Sequence, residues 1–594
     1  MVSPGRKQPP PHYRFGRSPD MDAWLTSFFI ENHLDYYTSP DHAATEEQAR
    51  FMIYTEKDER YYPCSDQMFE AIISRKQSSY VQKRYRRVLE RMLHLIERQI
   101  ENKYEKAYLE ALIVNKQRHE TRDEIMIPSR VEKRLMSIYL KHTLIEDPLL
   151  AEKTERNRRA HFMLTNPAFD EALNHVDEKD LIDPPETLIE IKSRIAAVEF
   201  KRLLCAASTP HLWMTDHETP FTKQDFLKIF DQPPRGEGVR PLLRFLGLGR
   251  RRGEKRKLLW LANEAGEVVM DLALIRFLVA HGHKVVIAFK DSPLYTKTTL
   301  SDLLNDPVLS KALGQAAIIQ EPNLSKNQLV RTLRGDTPVL ALSDGTSEEL
   351  NLLMASTTFA RIFKEMDAVI SRGDNCRRRI MDTHFKFTQD LYNISRNRDG
   401  SIQIDIKPRH PEVIKFSHQD LEIKAQEIID LMKSAKAKGM TLIFYSGIIG
   451  SIPGKIEMAK RIMKTTVEQL ARQSALTFII NPSDYFERGM DADDLMYMWE
   501  IVQRSGMIDI WRFQTYDDIV AAFKVMDKKV PPEWVGKDAT YSTGCTKEMA
   551  IAIEVQRQHP EMQVIGPARE RFMRRRDYGV GKMYDHRLTD KQST

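Results

Sequence analysis

The sequence predicts an α/β protein with a helical N-terminal region, an α/β core and a second α/β domain. Three observations lead to this prediction. Apolar residues recur at helical spacing before residue 184, short apolar runs alternate with helical patterns between residues 185 and 415, and the alternation resumes from residue 416 to residue 570. At 594 residues the chain is too long for one hydrophobic core, so we expect two or three domains.

Composition and charge indicate which classes of protein to set aside. The 90 Lys and Arg residues nearly balance the 84 Asp and Glu residues, and a net charge of +6 over this length gives little reason to expect nucleic acid as a partner. The four cysteines are far apart and form no Cys-x-x-Cys pair, which disfavours a disulfide framework or a structural zinc site. No apolar run approaches the roughly 20 residues that span a bilayer. We therefore expect a cytoplasmic protein with no membrane partner.

The N-terminal part divides into a polar, Pro-rich segment, residues 1–20, predicted to be a disordered leader, and a helical domain, residues 21–184. The pattern is strongly helical from about Asp66 to Asn115. Its apolar stripe consists of Tyr85, Leu89, Met92, Ile96, Ile100, Tyr104 and Tyr108. The arginines beside that stripe are Arg84, Arg86, Arg87, Arg91 and Arg98. Because glutamates are interleaved with them, we interpret this surface as a solvated charged face, although a basic helix can also bind an acidic partner.

The α/β core is predicted between residues 185 and 415. After an irregular basic connection, residues 208–253, a buried strand runs from Leu258 to Ala262 and leads through a polar turn into an apolar helical repeat that ends at Gly282. Lys284 to Phe289 form the second strand. Further strands are predicted at residues 316–320, 339–343, 367–371 and 402–406, with a helix at residues 347–365.

The polar turns after the parallel strands are expected to converge. Right-handed crossovers place the carboxyl ends of such strands at one edge of the sheet, which is where ligands bind in open α/β sheets. These turns are Asn263-Glu264, residues 291–299, Ser343 to Gly345, and Arg372 to Asn375. Their convergence is the main functional signal of the sequence.

The chemistry of these turns indicates a site that handles phosphate. Oxygen atoms, which suit hard divalent cations, come from Asn263, Glu264, Glu267, Asp271, Asp302, Asp344 and Asp374. Positive charges for phosphate oxygens come from Lys297, Arg372, Arg377 and Arg378. A simpler reading remains open for Glu267 and Asp271, which stand early in a helix and could merely favour its dipole.

Four blocks in this order resemble the damage-control metal phosphatases, the ARMT-like family formerly catalogued as a domain of unknown function. The blocks are Leu261-Ala-Asn-Glu-Ala-Gly-Glu-Val-Val-Met-Asp271, Gly282 to Phe289 continuing to Pro293-Leu-Tyr-Thr-Lys-Thr-Thr299, Ser343-Asp-Gly-Thr with the later Phe-x-x-x-Asp-Ala-Val-Ile370, and Arg372-Gly-Asp374 with Arg378-Arg-Ile380. The resemblance covers about residues 258–380. It implies a three-layer α/β/α core behind a helical part, and divalent-metal-dependent hydrolysis of a phosphate monoester of a small metabolite such as a sugar phosphate.

The resemblance also implies a site, from which this sequence departs. The family holds its metal with an Asp-Asn pair and a further Asp, and these positions fall on Asn263, Glu264 and Lys297. A charged ammonium has no lone pair to offer, so Lys297 cannot be a ligand. In a first hypothesis Mg, Mn, Co or Ni is held by Asn263, Glu264 and Asp374, and Glu264, Asp374 and Lys297 take part in catalysis.

In that hypothesis the phosphate of the substrate is bound by Lys297, Gly345, Arg372 and Arg378. In a second hypothesis Lys297 replaces the cation electrostatically, and the domain binds a phosphorylated ligand as a sensor or scaffold without turning it over. A third alternative, a carboxyl methyltransferase, is sometimes attributed to this branch, but no glycine-rich nucleotide loop follows Ala262. The oligomeric state is left open.

The C-terminal domain, residues 416–570, resembles no family that we identify, and a basic tail is predicted for residues 571–594. The loop from Tyr445 to Lys455 lies between a strand and a helix but lacks the spacing of a nucleotide phosphate loop. The segment Thr543 to Lys547 could form an anion nest, or Cys545 within it a nucleophile. An accessory domain with tight turns is the interpretation we favour.

Overall fold

The structure is a computed structural model, and it describes residues 13–34, 46–56, 58–122, 125–176, 187–216, 220–248, 254–452 and 454–573. Most of the predicted leader, residues 1–12, and most of the predicted basic tail, residues 574–594, lie outside the described residues. Contacts divide the chain into two compact units. Unit 1 comprises Met1–Leu324 and Arg334–His410, and unit 2 comprises Ser325–Leu333 and Pro411–Thr594.

Unit 1 begins with helices and one short strand. These are α1 (Pro19–Glu31), α2 (Glu46–Ala49), β1 (Ile53–Tyr54), α3 (Asp66–Ser74), α4 (Ser79–Gln99), α5 (Lys103–Thr121), α6 (Pro128–Thr143), α7 (Leu150–Leu164), α8 (Pro167–Leu173), α9 (Leu188–Ala207), α10 (His211–Met214), α11 (Lys223–Phe230) and α12 (Val239–Phe245). The predicted helical region is therefore confirmed. The last three helices correct the expectation that residues 208–253 are irregular.

The rest of unit 1 alternates strands with helices. In chain order the elements are β2 (Lys257–Leu261), α13 (Glu267–Ala280), β3 (Lys284–Phe289), α14 (Leu300–Asn305), α15 (Pro307–Leu313), β4 (Ala317–Ile319), α16 (Lys326–Arg334), β5 (Val339–Ser343), α17 (Thr357–Glu365), β6 (Ala368–Arg372), α18 (Gly373–Ile380), β7 (Lys386–Phe387), β8 (Asp390–Arg396) and β9 (Ile402–Lys407). Of these, α16 belongs to unit 2 apart from its last residue. Each predicted strand of the core is present within one or two residues at its ends.

Among the described residues, unit 1 contains a seven-stranded sheet in the order β4-β5-β3-β2-β6-β8-β9 and a small sheet of β1 and β7. The pairs are parallel up to β8, and β9 runs antiparallel to β8. In the central register Trp260 pairs with Ile287 and Ile370. The carboxyl ends of the parallel strands therefore share one edge, as the sequence predicts.

Helices cover both faces of this sheet. Leu258 and Trp260 pack in one core cluster with the apolar side of α13, while α9 contacts α13 from outside. Leu259 and Leu261 are also buried and alternate to the opposite face, where α17 contacts β2. A strand buried on both faces explains the continuous apolar run of β2. The predicted α/β fold with helices on both sides of the core sheet is confirmed.

Two sequence predictions for helices are wrong in detail. The pattern from Asp66 to Asn115 is split into α3, α4 and α5, because Ser78 and Asn102 each cap a new helix. The break at Asn102 restarts the register and leaves Tyr104 82 % exposed. The helix predicted from Ser347 begins only at Thr357. Residues before it are irregular because Glu348 pairs with Arg130 at 2.6 Å and Ser356 provides the N-cap.

Unit 2 contains α16 together with α19 (His418–Ala437), β10 (Thr441–Ser446), α20 (Ile456–Gln473), β11 (Thr477–Ile480), α21 (Ala492–Gln503), β12 (Ile510–Phe513), α22 (Tyr516–Val525), α23 (Thr543–Gln558), β13 (Gln563–Ile565) and α24 (Arg569–Met573). Over the part of the chain that is described, its sheet is four-stranded and parallel, in the order β11-β10-β12-β13. Val330 of α16 packs in its core, and Lys326 forms a buried ion pair with Asp494.

The predicted domain ranges correspond only in part to these two units. Residues 21–184 and 185–415 both lie in unit 1, apart from Ser325–Leu333 and the last few residues, and residues 416–570 lie in unit 2. The boundary at residue 184 stays a prediction. None of the described helices combines the length and the apolar composition needed to cross a membrane.

Candidate functional site

Two loops at the carboxyl edge of the unit 1 sheet are joined by backbone hydrogen bonds. Glu264, in the turn after β2, forms an antiparallel bridge with Lys297, in the loop after β3. The Ala265 N–H donates to the carbonyl of Thr296 at 2.8 Å, and the Thr298 N–H donates to the carbonyl of Asn263 at 2.9 Å. This short ladder fixes the side chains of both loops relative to each other.

The turn after β2 is closely packed at Gly266. This residue has a φ of +81°, and a Cβ atom there would lie 2.3 Å from the ring of Trp213. Its N–H donates to Oδ1 of Asn157 in α7 at 2.7 Å. Only glycine fits, because a side chain would meet both the strained φ and the tryptophan. The start of α13 is thus held against the helical part of unit 1.

Lys297 occupies the centre of the predicted metal position. Its Nζ lies 2.7 Å from Oε1 of Glu264 and donates a hydrogen bond to Oδ1 of Asn263. The Thr296 hydroxyl donates to the other oxygen of Glu264, and Nδ2 of Asn263 donates to Glu267 at 2.6 Å. The carboxylate and amide oxygens that the sequence offers to a cation are therefore engaged by an ammonium and a hydroxyl.

The electrostatics of this pair favour its charged form. Burial raises the pKa of Glu264, but Lys297 and the Thr296 hydrogen bond outweigh it, and the net pKa is lowered. Burial likewise lowers the pKa of Lys297, but Glu264 outweighs it and the net pKa is raised. Both groups are therefore charged at neutral pH.

The residues of this position do not fit a divalent cation. Asn263 is neutral, and Glu264 and Lys297 carry opposite charges, so the set is already neutral without a metal. An ammonium within hydrogen-bond distance of both oxygens would repel a cation placed between them. Asp374, the remaining predicted ligand, is exposed in the first turn of α18 and makes no hydrogen bond or ion pair with Asn263 or Glu264. Across the described residues, no group of three His, Cys, Asp or Glu side chains could hold a metal ion.

The structure buries Arg372, which the sequence predicts to bind phosphate. Its side chain is 1 % exposed, and its guanidinium lies 3.2 Å from Glu267 and 3.4 Å from Asp271. It also donates to the Ala207 carbonyl and, at 3.3 Å, to Ser208. The contacts of its guanidinium are thus with the end of α9 and the start of α13.

Glu267 and Asp271 therefore do more than favour the dipole of α13. They neutralise Arg372, and Asp271 additionally accepts a hydrogen bond from Nε1 of Trp260 at 2.9 Å. Burial raises the pKa of Asp271 to about 7, against the opposing effect of Arg372. Asp271 belongs to the packing beneath the site, whereas Glu267 also accepts the hydrogen bond from Asn263.

Gly345 lies in a different pocket of about 230 Å³, lined by Asp291, Ser343, Ser356 and neighbouring residues. Its φ is +80°, and a Cβ atom there would be 2.6 Å from the backbone nitrogen of Ser356, so it serves the turn. The adjacent Asp344 pairs with Lys290 at 2.5 Å. The structure does not bring Gly345 and Lys297 to one pocket.

The other predicted oxygen and cation donors have structural partners. Asp302 pairs with Lys153 at 2.6 Å and belongs to the capping box of α14. Arg377 lies 3.4 Å from Asp405. Arg378 lines an open pocket, where it donates to Asn375 and lies 3.7 Å from Glu349.

A cleft opens beside Lys297 and is closed on its other side by α4, α6 and α7. Its first pocket, of about 290 Å³, is lined by Arg91, His94, Leu95, Arg98, Glu132, Leu149, Glu152, Arg156, Glu264, Leu294, Tyr295, Thr296, Lys297, Glu349 and Asn375. A second pocket of about 500 Å³ shares Arg91, His94 and Asn375 with it. The second pocket continues to Arg84, Arg87, Val88, Glu90 and Arg378.

The basic side of α4 was missed by the sequence prediction. Arg84, Arg87 and Arg91 follow one another at spacings of three and four residues, which places them on one side of a helix. We expected a solvated face, and Arg86 is indeed exposed, but Arg84 and Arg91 line the cleft. The spacing is visible in the sequence, whereas the cleft opposite it is formed by distant loops.

Two buried carboxylates lie among these arginines. Burial favours the neutral form of Glu349, but Arg379 and Arg378 outweigh it and lower its pKa. Glu132 lies 2.5 Å from Arg91, and burial raises its pKa to about 7 despite that arginine. Tyr295, whose φ is +50°, places its ring 5.1 Å from the Arg91 guanidinium.

In unit 2 the motifs considered from the sequence have structural partners. The Cys545 thiol is buried and donates to the Gly447 carbonyl at 3.3 Å, and burial raises its pKa well above the usual value. A buried neutral thiol is a poor nucleophile. Lys455 lies 2.7 Å from Glu533. Neither feature supports a catalytic role for unit 2.

Comparisons with known proteins found one matching family model and similar solved structures. A model of the damage-control phosphatase ARMT1-like domain matches residues 80–406. Among solved structures, a DUF89 family protein from Pyrococcus horikoshii is 14 % identical with a TM-score of 0.36, covering 54 % of this chain and 96 % of its own. No curated protein sequence matches the chain.

Proposed function

Because the chain belongs to the family of damage-control phosphatase ARMT1-like domains, we propose that its cleft binds a small phosphorylated molecule without a metal ion. The family acts on small phosphorylated metabolites and generally depends on a divalent metal. In this chain Lys297 supplies the positive charge at that position. The observation that carries the proposal is the contact of Lys297 with Glu264 at 2.7 Å and with Asn263. The function supported best is that of a ligand-binding sensor or scaffold whose catalysis is weakened.

The chemistry of an ammonium supports binding over turnover. A divalent cation polarises the phosphoryl group and lowers the pKa of a bound water, which creates the nucleophile for hydrolysis. An ammonium attracts phosphate oxygens, but it cannot accept a lone pair from water. Glu264 is itself charged and held by Lys297 and Thr296, so it is not poised to take a proton from water. These residues can hold a phosphate and lack the means to activate an attacking water.

Metal-dependent hydrolysis of a phosphate monoester is the second candidate. Its support is that Asn263 and Glu264 direct oxygen atoms at one point, which Nζ of Lys297 occupies. For that reaction Lys297 would have to leave the position and Asp374 would have to turn inward. The carboxyl methyltransferase alternative has no feature among the described residues in its favour, since the turn after β2 carries Asn263, Glu264 and Ala265 before its single glycine.

A turnover assay on the full chain separates the two candidates. We expect no hydrolysis of a panel of sugar phosphates above background with Mg²⁺, Mn²⁺, Co²⁺ or Ni²⁺, and no metal retained after dialysis. At least one member of the panel should nevertheless raise the melting temperature in the presence of a chelator. Turnover that is abolished both by chelator and by Glu264→Gln would establish the hydrolase instead. Arg86→Gln, an exposed change on α4, is the matched control.

A further inference from the structure

The cleft continues past the Lys297 position into a groove that is strongly basic. We call this region the arginine groove and define it by Arg84, Arg87, Arg91 and Arg378. Its pocket contains one carboxylate, Glu90, against these four guanidinium groups. The groove shares Arg91, His94 and Asn375 with the pocket at Lys297, so the two pockets form one continuous cleft.

The charges of the groove are incompletely neutralised within the protein. Neither Arg84 nor Arg87 forms an ion pair within 4 Å with any residue that the structure describes. Burial lowers the pKa of Arg84 and the like charge of Arg378 lowers it further, while the nearby carboxylate of Glu349 opposes both effects only in part. Holding two guanidinium groups together in a partly buried groove is unfavourable unless an anion joins them. The two glutamates nearby are already engaged, Glu349 by Arg378 and Arg379 and Glu132 by Arg91.

The Lys297 end of the cleft differs in this respect. Lys297 is matched by Glu264, so its pocket offers hydrogen-bond donors at nearly zero net charge. The excess of positive charge lies at the other end, in the arginine groove. A ligand with a single phosphate would satisfy one end and leave the other unchanged.

We propose that the arginine groove is a second anion subsite, and that the ligand is a small metabolite carrying two phosphate groups. This inference rests on the proposed function. One phosphate lies at Lys297, and the other lies between Arg84, Arg87 and Arg378. Guanidinium groups suit this role because their planar donors bind phosphate oxygens in pairs.

The dimensions of α4 agree with a ligand of this kind. At a rise of about 1.5 Å per residue, Arg84 and Arg91 are roughly 10 Å apart along the helix. Arg91 stands where the two pockets meet and its guanidinium lies against Tyr295 and Glu132. The part of the groove beyond this junction therefore has the length of a small metabolite and not that of an extended polymer.

Calorimetric titrations with three probes test the inference directly. The probes are glucose 1-phosphate, glucose 6-phosphate and glucose 1,6-bisphosphate, each titrated into the full chain in the presence of a chelator. We expect the bisphosphate to bind at least about tenfold more tightly than either monophosphate, because charge-assisted hydrogen bonds to phosphate are strong. Arg84→Gln and Arg87→Gln should each remove most of that preference and change the tighter monophosphate affinity by less than about twofold. Arg86→Gln removes the same charge from the exposed side of the same helix and should retain the preference.

The outcomes distinguish this inference from the function on which it rests. Equal affinities for one and two phosphates would overturn the second subsite and leave the proposed phosphate binding intact. If Arg86→Gln lost the preference for the bisphosphate as fully as Arg87→Gln, the second subsite would also be overturned. The preference would then depend on the net charge of the protein and not on the groove. Absence of binding by all three probes would overturn both proposals. Thermal melting of each variant checks that it is folded.

Discussion

The ammonium nitrogen of Lys297 lies 2.7 Å from Oε1 of Glu264, in the position where the family pattern implies a metal ion. The two opposite charges compensate each other, so the pair has no net charge. It also connects two loops that follow different strands of the sheet. In the proposed function this pair stands in place of the metal ion.

A double-mutant cycle should show strong coupling between these two residues. Lys297→Met leaves Glu264 without its partner and should reduce the free energy of unfolding by about 1 to 3 kcal/mol. Lys297→Met combined with Glu264→Gln should cost less than the sum of the single changes, because no charge is then left alone. Chemical denaturation of the four proteins measures the coupling. If the effects of the two single changes were additive, the contact between Lys297 and Glu264 would contribute nothing to stability.

Arg372 should behave as a structural residue. Arg372→Gln leaves the buried carboxylates of Glu267 and Asp271 uncompensated, so we expect a loss of about 3 to 5 kcal/mol in the free energy of unfolding. Arg378→Gln, at the surface of the cleft, should cost less than about 1 kcal/mol. Urea denaturation compares the two. A stable Arg372→Gln protein that has only lost ligand affinity would restore the role predicted from the sequence.

Stability should fall as pH rises from about 5 to 8. Burial raises the pKa of Glu132 and of Asp271 to about 7 in the folded chain, above the ordinary values of 4.5 and 3.8. A raised folded pKa means that the folded state binds more protons than the unfolded state, so each group contributes stability below its unfolded pKa that is lost as pH rises through about 7.

Glu132→Gln tests the origin of this slope. It removes one titrating group and should flatten the dependence by up to about 1.4 kcal/mol per pH unit between its unfolded and folded pKa values. Glu90→Gln, an exposed carboxylate of α4, is the control and should leave the slope unchanged. Melting temperatures from pH 5 to pH 8 give the comparison. An unchanged slope in Glu132→Gln would contradict the burial of that carboxylate.

Returning the position to the family pattern should create a metal site. In the combined variant Asn263→Asp, Glu264→Asn and Lys297→Asp, two carboxylates and an amide replace the neutral set. We expect this variant to retain Mn²⁺ after dialysis in proportion to protein, while the parent chain retains none. Lys297→Met, which removes the ammonium without adding a ligand, is the control. Retention of metal by the parent chain would show that Lys297 does not exclude the cation.

Much of the fold could be predicted because it rests on local patterns. The strands at Leu258, Lys284 and Val339 are apolar runs between clear turns, and the edge at which they end follows from the handedness of the crossovers. The prediction of a helix from Ser347 was wrong because Glu348 forms an ion pair with Arg130, which lies more than two hundred residues away in the sequence. Local propensity cannot anticipate such a partner.

The site was predictable in part for the same reason. Resemblance to the family placed Asn263, Glu264 and Lys297 at one position, and the structure brings these three together. It could not show that Arg372 points inward to Asp271, because the side chain of a residue at the end of a strand can point either into the protein or towards the cleft. Nor could it show that the basic side of α4 faces this cleft, since that depends on how the helices pack on the sheet.

The central claim is that Lys297 replaces the cation in holding a phosphate. Its most direct test is the affinity of the full chain for a sugar phosphate, measured by calorimetry with chelator and again with Mn²⁺. If Lys297 supplies the charge, the two affinities agree within about twofold and Lys297→Met weakens both by at least about tenfold. Binding that requires Mn²⁺ and persists in Lys297→Met would contradict the claim.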